Sequence, residues 1–430
     1  MLLRFSVANH RSIMAPVELS MVAVDEDRTA ARRFDKLADP VLTVAGIYGA
    51  NASGKSNILN AMAWLAEAVG QSLREWDERV PRDPFRFGDG LTEPSTFEVD
   101  MLVNGVRHTY HAVFDDAAVQ FEALYSYPER RPRTLFQREG MDLKVRRGLG
   151  AQAGIRELLT PTTLALSAAM RLREPDLQPF ARALASIAAH GVHSGTRRGR
   201  PFRPSPFRWA TINFFQETDP ARPRPLWSGS EPSPDSRAAA MELLRFADLG
   251  IEDAEVIREK LAVPGSATES FSRQRLRLIH RVADQPVPFD LDDESAGTRT
   301  WVRLIGPMLY ALRYGQILLF DEIDASLHPR LSSRVIELFQ DPETNPRGAQ
   351  LIFTSHDTSL LNHLNRDEVW LTEKGTDGAT TLTALAEYGG DKVRRSLNIE
   401  KAYLQGRFGA VPELDQGLVR RAIGLVATAP

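Results

Sequence analysis

The chain has 430 residues, 43% of them apolar and 25% charged, with a formal net charge of −3 and no cysteine. This length and apolar content suffice for two or three packed units. Without cysteine, disulfides, thiol chemistry and cysteine-ligated zinc are excluded, and the near-neutral charge argues against a globally electrostatic nucleic-acid binder, although local patches can still bind phosphate.

Leu3 to Val7 alternates as a strand, and Asn9-His10-Arg11-Ser12-Ile13 follows it. The apolar run Val41 to Tyr48 then leads into Gly49-Ala50-Asn51-Ala52-Ser53-Gly54-Lys55-Ser56, with Asn57 next and a helical pattern from Ile58 to Val69. A strand, a GxxxxGK[ST] loop and a helix in this order form a phosphate loop. Its glycines let backbone N–H groups turn inward around phosphate oxygens, and the helix N-terminus adds positive potential. Lys55 is expected to reach the β and γ phosphates of ATP, and Ser56 to hold Mg²⁺.

Alternating segments Thr96 to Val103, Val106 to Phe114, Val119 to Ser126 and Thr134 to Arg138 read as an antiparallel sheet, with Asn104-Gly105 as a two-residue hairpin turn. Helical periodicity follows in Leu164 to Arg171, Phe180 to Ala189 and Ala238 to Phe246, without the sustained heptads of a long coiled coil. Between these lies an Arg/Pro-rich stretch, Arg197-Arg198-Gly199-Arg200-Pro201-Phe202-Arg203, continuing to Arg208-Trp209 and Arg222 to Arg224. It reads either as a contact for DNA, RNA or an acidic partner, or as a solvated insertion.

Leu276 to His280 returns as a strand, on which His280 is assigned packing or hydrogen bonding and no catalysis. Ser295-Ala296-Gly297-Thr298 opens a helix whose apolar residues Trp301, Leu304, Ile305, Met308, Leu309 and Leu312 keep the helical period. A small Ser-x-Gly turn at a helix N-terminus suits an anion, although serine is also an ordinary cap. Pro307 inside this helix predicts a kink. Twenty-six residues after Ser295, the run Ile317 to Phe320 ends in Asp321 and Glu322. Carboxylates at the end of a buried strand suit Mg²⁺ organisation by Asp321, through water, and polarisation of the attacking water by Glu322. A last strand, Leu351 to Thr354, delivers Ser355-His356-Asp357, where His356 is placed to sense or stabilise the γ-phosphate.

This ordered set resembles the ABC-type ATPase head of RecF-like and SMC-like proteins. The resemblance implies an α/β P-loop NTPase fold, an ABC-type head with an antiparallel β subdomain and an inserted helical subdomain. It also implies a signature at Ser295 to Thr298 including Gly297, a D-loop around Asp324, a switch histidine at His356, and Arg11 and Ser12 near the nucleotide. Gln137 and Gln216 both remain open as a glutamine loop. In the family, one subunit's signature helix caps the γ-phosphate held by the other, so a homo-oligomer of ATP-sandwiched heads is implied. The expected organisation is residues 1–150 as the first ATPase lobe with the antiparallel sheet, 151–270 as the helical insertion, 271–385 as the second lobe and 386–430 as a C-terminal helical tail.

A narrower likeness lies in Leu243 to Asp253, Glu294 to Thr298 and Tyr403 to Pro412. These segments look like the stand-alone ATPases associated with bacterial abortive infection, including the AbiL type and the ATPase of PARIS anti-phage systems, with Ala296 where Gly or Asp is commoner. That resemblance implies anti-phage defence, a phage protein as trigger, and a separately encoded effector such as a TOPRIM-like nuclease. The 74 residues after His356 contain no obvious DxD cluster, so nuclease activity is expected from another chain. The start Met1-Leu2-Leu3-Arg4 has no signal-peptide pattern and no apolar run reaches a membrane span, so a cytoplasmic protein without a membrane partner is expected. A RecF-like DNA-maintenance ATPase and a non-catalytic scaffold fixed by ATP are the other two function classes.

Overall fold

The computed structural model describes residues 1–25, 30–129, 131–146, 148, 152–192, 210–215, 234–247, 250–262, 270–282, 285–325, 327–388 and 398–410. The Arg/Pro-rich segments, Gln216, most of Asp391 to Pro430, and Asp248, Leu249, Val411 and Pro412 of the narrower likeness lie outside these residues.

Strands β1 (Leu2–Ala8) and β2 (Val17–Ser20) precede β3 (Val44–Gly49) and the 21-residue helix α1 (Lys55–Glu75). Then come β4 (Ser95–Val103), β5 (Val106–Phe114), β6 (Val119–Tyr127), β7 (Arg133–Glu139) and β8 (Asp142–Val145). These make a seven-stranded antiparallel sheet in the order β2-β1-β4-β5-β6-β7-β8. Asn104 and Gly105 both hold positive φ, 51° and 74°, as a type I′ hairpin turn requires.

The chain continues through α2 (Gln152–Leu158), α3 (Ala165–Leu172), α4 (Gln178–Ala185), β9 (Ala188–His190), α5 (Pro234–Ala247), β10 (Ile251–Ala262), β11 (Ser270–Val282) and β12 (Gln285–Asp290). It ends through α6 (Ala296–Tyr314), β13 (Ile317–Phe320), α7 (Pro329–Gln340), β14 (Gln350–Thr354), β15 (Val369–Lys374), β16 (Thr380–Ala384) and α8 (Ile399–Leu404). The second sheet has the order β16-β15-β3-β14-β13-β9, parallel except at its β15–β16 edge.

This second sheet divides the molecule into two cores. Ala45 and Ile47 of β3, Ile317 and Leu319 of β13, and Ile352 of β14 face α1, α3, α4 and the antiparallel sheet. Val44 and Tyr48, Leu318 and Phe320, and Leu351 and Phe353 face α6, α7 and α8. Successive side chains point to opposite faces of a strand, so a sheet covered on both sides needs unbroken apolar runs. That is why the phosphate-loop and carboxylate strands carry no polar alternation. The architecture is an α/β P-loop fold with an antiparallel sheet and inserted helices.

A buried carboxylate ties the antiparallel sheet to the inserted helices. Glu122 on β6 accepts from the backbone N–H groups of Ala165 (2.7 Å) and Leu166 (3.0 Å) at the start of α3 and from Tyr110 Oη (3.0 Å), with Arg138 at 3.8 Å. It supplies the partners that Leu164, at the N-cap, has no side chain to give.

The segment 151–270 is not wholly helical. β9 lies within it and forms the edge of the central sheet beside β13, while β10 pairs with β11, and β11 with β12, in a separate three-stranded sheet. Charged residues that suit a helix surface make cross-strand pairs here: Arg275 meets Glu259 (3.4 Å) and Asp290 (2.8 Å), and Arg277 meets Asp290 (2.8 Å). Helix α6 runs through Pro307, and its ladder is opened one residue earlier by a side chain. Thr211 Oγ1 accepts from the Gly306 N–H (2.8 Å) and donates to the Val302 carbonyl. An inserted hydroxyl is a recognised cause of helix distortion, so the expected irregularity is a bridged opening.

The described part of the tail packs under β3. The Tyr403 and Tyr48 rings lie 6.3 Å apart, Tyr403 Oη donates to the Ala410 carbonyl (2.9 Å), and the Ala410 N–H donates to Glu373 on β15 (2.8 Å).

Candidate functional site

At the end of β3 the chain turns through Ala50 to Gly54 before α1 begins at Lys55. Two glycines are required there by close approach. A Cβ on Gly54, which has φ of 106°, would lie 2.1 Å from Thr380 Oγ1, and one on Gly49 would lie 2.4 Å from the Thr372 carbonyl. Asn51 and Ala52 form the exposed tip, and Ala52 holds φ of 61°, a left-handed conformation costing on the order of 1 kcal/mol. The first turn of α1 carries no acid and Gly54 gives no side-chain cap, so the positive end of the helix dipole is aimed into the loop.

Lys55 is buried, and its Nζ donates to the carbonyls of Gly49 (2.9 Å) and Ala50 (3.0 Å). Burial lowers its pKa, while Asp321, Glu322 and Asp324 pull in the opposite direction. Ser56 Oγ donates to Asp321 Oδ1 (2.9 Å), joining the phosphate loop to the end of β13 across the intervening β14. Thr354, the last residue of β14, donates to the same Asp321 oxygen (2.6 Å) and accepts from the Glu322 N–H (2.7 Å). Its one hydroxyl therefore fixes both carboxylate residues. Glu322 is exposed and holds φ of 53°, left-handed for a residue other than glycine. Beside it, Gly191 approaches the Asp321 carbonyl so closely that a Cβ would lie at 2.7 Å.

Asp324 accepts from Ser355 Oγ (2.7 Å) and from the His356 N–H (3.2 Å), which anchors the backbone of the exposed His356 beside the acids. On the other flank, Ser12 Oγ accepts from Asn57 Nδ2 (2.6 Å) and pairs with Thr380 Oγ1 (2.7 Å), and Thr380 Oγ1 donates to the Ser53 carbonyl (2.8 Å). Ser53 Oγ pairs with Thr372 Oγ1 (2.6 Å). Arg11 Nε donates to Asp83 (3.2 Å). Burial lowers the pKa of this guanidinium, opposed chiefly by Asp83 and also by Asp321.

The structure thus gathers Arg11, Ser12, Ser53, Lys55, Ser56, Asn57, Asp321, Glu322, Asp324 and His356 around one loop. It does not bring Ser295 and Gly297 to that loop: no hydrogen bond among the described residues joins them to it. Ser295 is exposed and caps α6, accepting from the Thr298 N–H (3.1 Å). Its neighbour Glu294 takes His280 Nε2 at 2.7 Å, which gives that histidine a hydrogen-bonding role. Gln137 lies on β7 and donates to Glu139 (2.9 Å). Thr354, Thr372, Thr380, Asp83 and Gly191 are the site residues that the motifs missed. Only Thr354 had a signal, its place at the end of a strand beside the acids.

A family described as an AAA domain, putative AbiEii toxin of a type IV TA system, matches residues 44–362, from the phosphate-loop strand past His356. The chain belongs to this AAA family. No curated protein matches it. Among solved structures, an Smc head bound to the C-winged helix domain of ScpA is 13% identical, with a TM-score of 0.43 over 89% of this chain and 97% of that chain. The Smc head domain with an extended coiled coil, bound to the C-terminal domain of ScpA derived from Pyrococcus furiosus, is also 13% identical. Its TM-score is 0.36 over 90% of this chain and 97% of that chain. In this AAA-family chain no described helix is long and apolar enough to cross a membrane.

The site fits a magnesium–nucleotide. Magnesium takes hard oxygen donors, keeps several waters and is held by one or two protein groups together with substrate phosphates. Ser56 and Asp321 are such a pair, and the described residues contain no cluster of three or more His, Cys, Asp or Glu that would make a self-sufficient metal cage. Gly49 and Gly54 let the loop turn against Thr372 and Thr380, where a Cβ would not fit.

Proposed function

We propose that this AAA ATPase hydrolyses ATP between two copies of itself and uses the cycle to control a separate effector in anti-phage defence of the abortive-infection kind. The observation that carries the catalytic part is the Ser56–Asp321–Thr354 cluster, which sets hydroxyl and carboxylate oxygens beside the Lys55 loop. Lys55 neutralises charge on the β and γ phosphates, and Ser56 and Asp321 hold Mg²⁺, which when bound spreads the charge developing on the phosphate oxygens. Glu322 orients the attacking water and accepts its proton as the water oxygen bonds to the γ-phosphorus and ADP leaves. His356, anchored through Asp324, contacts the γ-phosphate.

The exposed Ser295 turn completes the site of the partner copy, with Gly297 allowing close approach. Its exposure supports this reading, because among the described residues the Ser295 hydroxyl bonds only Thr298 of its own copy. Defence is supported by the family's own description and by the likeness of Leu243 to Asp253 and Tyr403 to Pro412 to abortive-infection ATPases; on that likeness the effector is a TOPRIM-like nuclease and the trigger a phage protein. Glu322→Gln tests the assignment. With ATP, light scattering is expected to show a persistent assembly of two copies that wild type forms only transiently; turnover at the wild-type rate would refute the role of Glu322.

A further inference from the structure

We propose that the cavity enclosed by α1, α3, α4, β9 and α6 is a binding site for a small amphipathic organic anion. The cavity has a volume of about 980 Å³, in the range of small-molecule pockets, and no residue of the phosphate loop lines it. Its apolar wall includes Ala63 and Ala66 of α1, Met170 of α3 and Ile187 before β9. Arg171, Arg173, Arg182 and Arg303 stand around it and form no ion pair among the described residues, whereas Arg275 is held by Glu259 and Asp290. Among the described residues Arg74 also lines it, and the acids that face it are Glu67 and Asp292. Among the described residues, six lining arginines against two carboxylates over an apolar wall select a negative head on an apolar body. A nucleic-acid strand would instead be met by cations tracking an open surface.

The site has a mechanical address. Thr211 and Pro307 both line the cavity, and Thr211 is the residue whose hydroxyl is inserted between Val302 and Gly306 of α6. An occupant therefore rests on the one opened turn of the helix that begins at Ser295. If Ser295 caps a partner's phosphate, which rests on the reading above, occupancy sets how that turn is presented.

The test uses the full chain and 1-anilinonaphthalene-8-sulfonate, an aromatic sulfonate of this chemistry, followed by fluorescence titration and hydrogen exchange. Wild type is expected to bind one equivalent saturably and to slow exchange of the Gly306 amide. Arg182→Glu and Arg303→Glu should each weaken binding at least tenfold with unchanged circular dichroism, and Arg182→Gln, a milder change, by severalfold. Phe246→Ser, at an exposed aromatic elsewhere, should leave the affinity unchanged. Wild-type affinity in the arginine variants, loss in Phe246→Ser, or displacement by duplex DNA would overturn the proposal. Because neither readout involves ATP, failure here and failure of the hydrolysis assignment are separable.

Discussion

Thr354→Val isolates the contact on which both acids depend. The substitution keeps the shape of a fully buried side chain but removes its donor to Asp321 (2.6 Å) and its acceptor for the Glu322 N–H (2.7 Å). A hydrogen bond to a charged group contributes about 1.5–3 kcal/mol, and a buried donor left without a partner costs about 1–3 kcal/mol. The two share one oxygen and do not simply add, so an overall loss of about 2–4 kcal/mol is expected. Thr354→Ser retains the oxygen and should lose only about 1 kcal/mol, from one methyl group. Urea unfolding measures the stability difference, and steady-state ATP hydrolysis separates kcat from KM. In the valine variant kcat should fall at least tenfold with KM little changed, because the acids lose their aim while the phosphate loop is intact. If valine matched serine in both unfolding midpoint and kcat, the threonine would not organise the acids and the reasoning would fail.

Lys55→Ala should abolish detectable ATP binding by calorimetry while leaving the fold intact by circular dichroism. Ser295→Arg should leave ATP affinity within twofold of wild type but eliminate nucleotide-dependent pairing in light scattering, and a normal dimer would refute the trans role of this turn. His10 is fully buried, with Nε2 against Asn60 Oδ1 (2.8 Å), and burial pushes its pKa down to about 4 from 6.5. The unfolded chain therefore binds more protons than the native one between these values, and stability rises with pH across the window and is lost as pH falls through it. The shift corresponds to about 3 kcal/mol, so His10→Gln should flatten the slope of unfolding free energy between pH 6.5 and pH 4, and an unchanged slope would exclude His10 as its source.

The nucleotide core was legible because its strands are buried on both faces and its loop needs glycine at fixed steps. Val44 to Tyr48 and Ile317 to Phe320 announce themselves as unbroken apolar runs, and Asn104-Gly105 announces its turn. What escaped the sequence is long-range and polar. Thr380 bonds Ser53 and Ser12 from an edge strand more than 300 residues away, and nothing local marks it. Of the β10–β11 hairpin only Leu276 to His280 read as a strand; the rest was hidden because glutamate, lysine and arginine favour helices when read alone and make a sheet only through cross-strand pairing. The opening in α6 was half legible: Pro307 is visible in the sequence, but Thr211, which bridges the gap, is far from it along the chain.

The segment ending at Ala410 braces the floor of the nucleotide loop from below. Tyr403 touches Tyr48, one residue before Gly49, and Ala410 is tethered to Glu373 on the neighbouring strand. Tension on this stretch would reach the turn after Gly49 through a single ring contact. A protein grasping residues 398–410 would hold a handle on nucleotide affinity without ever entering the pocket.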